Sequence, residues 1–123
     1  MRISTAESQV MEALWRREPL TAEEIFAEVG EAQGWAEGTL KTLIGRLLKK
    51  GAVSAEKDGR RYLYRPLVPR EAYVEAESQG LLDRLFDGRV APLVSHFSER
   101  RRLTPQDVAD LKRLIQELDD DGR

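Results

Sequence analysis

This sequence predicts a mainly α protein carrying one small β-hairpin. Serine and threonine helix caps recur ahead of runs whose apolar residues return every three or four positions. An Asp-Gly pair stands between two short segments of alternating polarity. The cations gather on one helix and on that hairpin.

The elements follow in order. Ser4 with Glu7 forms a capping box, and Ala6, Val10, Ala13 and Leu14 share a face, so a first helix is expected over roughly 5–17, ended by Pro19. Thr21 with Glu24 is a second capping box, opening a helix through Ile25, Phe26 and Val29 that stops near Gly30 or Gly34. A third helix is expected from Ala36 to Lys50, closed by Gly51. The hairpin then pairs Val53–Glu56 with Arg61–Arg65. Asp58-Gly59 supplies the positive φ angles of its turn, and Tyr62 and Tyr64 are expected to be half-buried against the helices. Beyond Pro69 helices return over Glu71–Phe86 and Val90–Arg101. A last helix has Thr104 as cap, Pro105 at its first position and Asp107 in its first turn. The closing "DDDGR" reads as a polar tail.

The net charge of −2 conceals an uneven distribution. Residues 1–70 carry 12 cations against 10 anions and residues 71–123 carry 8 against 12, while within 39–65 eight cations face two anions, a balance of +6. On a helical wheel Ala36, Leu40, Leu43, Ile44 and Leu47 occupy one arc about 100° wide. Gly38, Lys41, Thr42, Gly45, Arg46 and Lys49 fill the opposite one. A helix enters a DNA major groove only if its outward face is uncrowded, and here two glycines relieve that face of bulk. Lys41, Thr42 and Arg46 are placed to read bases, and Thr39 to serve bases or phosphates. Lys49, Lys50, Lys57, Arg60 and Arg61 are placed to hold phosphates.

Three helices followed by a hairpin is the order of a winged helix-turn-helix, with the hairpin as the wing. The expected organisation is a winged-helix domain over 1–69 and a helical dimerisation region over 70–123. The partner expected on these grounds is double-stranded DNA. An alternative left open by the acidic C-terminal half is a winged helix that serves as a protein–protein adaptor.

Taken together, "STAESQVMEALW", "TLKTLIGRLLKKG" and "GRRYLYRPLV" resemble the penicillinase repressor family of bacterial transcriptional repressors. "LLDRLFDGRVAPLVSHF" and the closing helix extend that resemblance over nearly the whole chain. It implies a homodimer on a two-fold symmetric operator, controlling β-lactam or other stress-response genes. By position, Thr39, Lys41, Thr42 and Arg46 match the family's recognition-helix contacts, and Arg60 and Arg61 its wing. Gly38 falls where relatives often carry a longer polar residue. The resemblance places dimerisation on the C-terminal helices, whose apolar faces hold Leu81, Leu82, Leu85, Phe86, Leu93, Val94, Phe97, Leu111, Leu114, Ile115 and Leu118. About fifty residues make a poor core alone, which favours burial against a second copy. In β-lactam-responsive members, a pathway from a membrane sensor protease ends in cleavage of this region. The equivalent bond here is His96-Phe97, where relatives tend to have Asn before the Phe.

Other classes find little support. Cysteine is absent, which excludes thiolate metal sites, disulfides and the cysteine motif of copper-responsive relatives. No nucleophile elbow, phosphate loop or zinc-ligand spacing occurs, so neither an enzyme nor a cofactor is expected. The N-terminus resembles no signal peptide, and a cytoplasmic location is expected.

Overall fold

The computed structural model describes residues 2–121, so residues 122–123 of the polar tail lie outside the described residues. Two compact units divide between Glu75 and Ala76.

In the first unit, α1 (Thr5–Arg16) opens on the Ser4/Glu7 capping box, with Ser4 N–H donating to Glu7 Oε1 at 2.9 Å and Glu7 N–H to Ser4 Oγ at 3.1 Å. The second helix, α2, covers residues 22–33 behind the Thr21/Glu24 box. It runs as Ala22–Ile25, one wider π-helical turn at Phe26–Gly30, and Glu31–Gln33. It passes through Gly30, where the Phe26 ring fills the space that a β-carbon would need, so glycine alone fits without moving that ring. The helix ends before Gly34, the second of the two expected stops. Next, α3 (Glu37–Lys50) has Ala36 as its N-cap, and Gly51 at φ 78° supplies the left-handed residue that ends it.

The wing is an antiparallel pair, β1 (Val53–Asp58) and β2 (Arg61–Pro66), in register Val53↔Pro66 to Asp58↔Arg61. This register corrects the expected turn. Asp58 stays in the ladder opposite Arg61, so Gly59 and Arg60 are the two turn residues, and of them only Gly59 (φ 66°) has positive φ. One glycine at the first central position suffices for a two-residue hairpin loop. Leu20 adds a one-residue bridge to the sheet by exchanging backbone hydrogen bonds with Tyr64 at 2.8 and 3.1 Å. The core beneath collects Val10, Met11 and Leu14 of α1, Ile25 and Val29 of α2, and Leu40, Leu43, Ile44 and Leu47 of α3, with Leu20 and Val53. The Trp15 indole N–H donates to the Val68 carbonyl at 2.8 Å and its ring packs on Tyr73 at 5.5 Å, so the chain leaving the wing is fastened onto α1.

The unit boundary falls inside α4 (Arg70–Phe86). The second unit adds α5 (Val90–Glu99) and α6 (Pro105–Asp120). Thr104 caps α6 in a full capping box with Asp107, and the first two residues of the closing acidic run, Asp119 and Asp120, are helical. Arg101 ends α5 in the left-handed region (φ 56°), two residues earlier than expected, while Arg102 N–H reaches back to the Phe97 carbonyl at 2.9 Å. No described residue of this unit is buried. No described helix is long and apolar enough to cross a membrane.

Candidate nucleic-acid interface

The interface is built by burying one side of α3. Leu40, Leu43, Ile44 and Leu47 are all within 5% of full burial, which turns Thr39, Lys41, Thr42, Arg46 and Lys49 outward. An added β-carbon at Gly38 or Gly45 would meet nothing within 4 Å, so no packing demands these glycines and the outer face is open along its length. Between them stands Thr42, whose hydroxyl donates to the Gly38 carbonyl at 3.0 Å. Its proton is therefore engaged, and the side chain offers the groove a methyl group and an acceptor lone pair.

The wing continues the same surface. Lys57 is exposed opposite Tyr62, Arg60 stands at the turn, and Arg61 has only a loose contact with Asp58 at 3.5 Å. Three of the expected residues from two elements converge: Lys41 of α3 meets Arg60 and Arg61 of the wing around a cleft of about 360 Å³, which Thr21, Glu23 and Tyr62 also line.

Lys50 is placed differently. Its ammonium is paired with Glu7 and donates to the Arg2 carbonyl at 2.6 Å. Glu7 is 1% exposed. Burial alone would raise its carboxyl, but the Lys50 ammonium and the Ser4 hydrogen bonds outweigh it and hold the group below the ordinary carboxylate range. Lys50 thus ties the end of α3 to the start of α1, while Lys49 remains free on the outer face. Sequence reasoning missed this partner because Glu7 reads as a cap residue, and its second role depends on a lysine 43 residues away.

The two wing tyrosines also separate. Tyr64 is half-buried, as expected, and burial raises its hydroxyl above the usual range. Tyr62 is 48% exposed. A signal for this was present: Tyr62 sits two residues nearer the tip of the wing than Tyr64.

In the second unit the expected dimerisation residues form uncovered stripes. Leu85, Leu114, Ile115 and Leu118 are more than half exposed, Leu81 and Phe97 are exposed, and Leu82, Phe86, Leu93, Val94 and Leu111 are half-buried. His96 is exposed on α5, with its ring near those of Phe86 and Phe97.

The family model described as penicillinase repressor matches residues 3–117. The chain belongs to the penicillinase repressor family. It is similar to the penicillinase repressor of Bacillus licheniformis, at 30% identity over 94% of this chain and 91% of that one. The chain is similar to the solution structure of the DNA-binding domain of the repressor BlaI, at 33% identity and a TM-score of 0.54, covering 58% of this chain and 88% of that one. A second similar structure is the monomeric form of Bacillus licheniformis BlaI in complex with the blaP half-operator, at 33% identity and a TM-score of 0.53, covering 59% and 89%. The winged-helix DNA-binding fold of these repressors is thus present in this chain.

Proposed function

We propose that this DNA-binding transcriptional repressor works as a homodimer on a two-fold symmetric operator, each subunit placing the outer face of α3 in the major groove and the wing along the backbone. The observation that carries this reading is the division of the molecule's surfaces. One face of the first unit is open, cationic and backed by a packed core, whereas the second unit has apolar stripes with nothing covering them. The half-operator bound by the similar BlaI structure supports the same placement of the winged helix.

In this mechanism Thr42 reads base edges from near the centre of the exposed face, and Arg46, on the flank opposite Lys41, reaches in beside it with Thr39 next to it. Lys49, Lys57, Arg60 and Arg61 hold phosphates, which fix register and orientation without reading sequence. Dimerisation through α4–α6 couples two half-sites, so two weak contacts act as one strong one. Release from DNA by cleavage at His96-Phe97, through a protease pathway linked to a membrane sensor, is the inducing step proposed by family resemblance. Both side chains are accessible in the single subunit.

Selection of bound duplexes from a random pool, followed by titration against salt, tests the proposal. A recovered palindromic motif and a steep negative salt slope are expected. No duplex binding up to micromolar protein would overturn it in favour of the adaptor reading. On the recovered motif, Arg46→Ala is expected to cost about 1–3 kcal/mol and to relax the preference at one position of each half-site, read by repeating the selection.

A further inference from the structure

The cleft between α2, α3 and the wing has no role in the sequence-based division of labour, which gave Lys41 to bases and Tyr62 to packing. Its lining argues otherwise. Lys41, Arg60 and Arg61 bring three cations to it from two elements that are distant in sequence, and Glu23 is the single carboxylate on its rim. Tyr62 is exposed there, and its hydroxyl makes no hydrogen bond among the described residues. Thr21 Oγ1 accepts from the Glu24 N–H at 3.1 Å, which leaves its proton free to donate. Opposite Tyr62 in the ladder stands Lys57, extending the positive surface along the strand pair.

Lys41 also lies off the centre of the outer face. Taking about 100° per residue, the middle of that face runs through Gly38, Gly45, Lys49 and Thr42, and Lys41 falls about 60° to one side. That side is the one bordered by α2 and the wing, because Lys41 lines the cleft that those elements share. A long cationic side chain at this edge meets a strand of the duplex where it leaves the groove, not the base edges at its floor.

We propose that this cleft seats one backbone phosphate of the bound duplex, held by Lys41 and the Tyr62 hydroxyl with Arg60 and Arg61 at its mouth, so that Lys41 reads backbone and not sequence. The proposal rests on the operator-binding reading above and refines it. A tetrahedral phosphodiester monoanion, with two non-bridging oxygens that each accept more than one hydrogen bond, suits cationic donors and neutral hydroxyls from separate elements. Such a seat would fix the angle between α3 and the wing on the duplex.

The test uses the full chain and a duplex recovered from the random pool, with thermal unfolding confirming that each variant is folded. Tyr62→Phe and Lys41→Ala are each expected to weaken binding about three- to ten-fold, equally on the recovered and a scrambled duplex, and Lys41→Ala to lower the salt slope by about one unit. Glu23→Gln is expected to tighten binding to both. The decisive arm replaces phosphates one at a time with neutral methylphosphonates. At one position per half-site the wild type should lose affinity while Lys41→Ala and Tyr62→Phe lose little more, because the contact is already gone. Failure of wild-type binding would sink the operator reading itself. Wild-type binding with an unaffected Tyr62→Phe, or a changed base preference in Lys41→Ala, would overturn the phosphate seat alone.

Discussion

The two units are built from similar amphipathic helices and reach opposite outcomes. In the first, three helices and a hairpin enclose their apolar residues, and every buried apolar side chain among the described residues lies there. In the second, the helices, among them α6 with its full capping box, leave Leu85, Leu114, Ile115 and Leu118 more than half exposed. Capping and periodicity make a helix, whereas burial needs a facing surface of matching shape. The first unit finds that surface within itself. We propose that the second finds it in another copy.

Substitutions can break this comparison, beginning with the largest expected effect. Leu47→Ala removes a fully buried side chain from α3 and is expected to cost about 3 kcal/mol in chemical denaturation, at any protein concentration. Ile115→Ala is expected to cost about 2 kcal/mol, but only at concentrations where the protein is dimeric by sedimentation. If the loss stays under about 0.5 kcal/mol at every concentration, as for an ordinary surface position, the proposed pairing of the second units fails.

Glu7→Gln probes the buried pair that ties α3 to α1, with an expected loss of about 1.5–2 kcal/mol at neutral pH. Its pH dependence has a definite sign. The folded protein holds the Glu7 carboxyl below its ordinary value, so the stabilisation is complete above the unfolded pKa and fades as pH falls through the lowered folded one. The wild type should therefore lose part of its stability in acid, and Glu7→Gln should lose less over the same range. Equal acid slopes would show that the pair contributes nothing.

The smallest effect is the one that sharpens the functional side. Gly45→Ala places a methyl group in open space on the interior of α3 and is expected to stabilise the fold by about 0.5–1 kcal/mol. The same substitution should weaken binding to the selected duplex, measured by anisotropy, because it crowds the face that enters the groove. Gains in both stability and affinity would show that the glycine is not kept for close approach.

Much of this was legible in the residues. Both expected capping boxes formed, Thr104 caps the last helix, α3 runs to Lys50 before Gly51, and the buried face of α3 is the face its periodicity predicts. These are local outcomes, decided by residues three or four apart. The illegible parts lie at longer range. The turn slipped by one residue because the ladder kept Asp58 paired. The bridge between Leu20 and Tyr64 joins segments that no periodicity links. Tyr62 and Tyr64 occupy alternate positions of one strand, yet only the one farther from the tip is half-buried.

The sequence by itself determined the elements, their order and the concentration of charge on α3 and the wing, since propensity, capping and turn chemistry act within a few residues. Tertiary structure decided which of those charges share a task. Packing α1 against the end of α3 assigned Lys50 to Glu7, and packing the wing beside α2 brought Lys41 to Arg60, Arg61 and Tyr62. Cations in one stretch look equivalent until the chain folds, because a charge takes its role from the groups it meets in space.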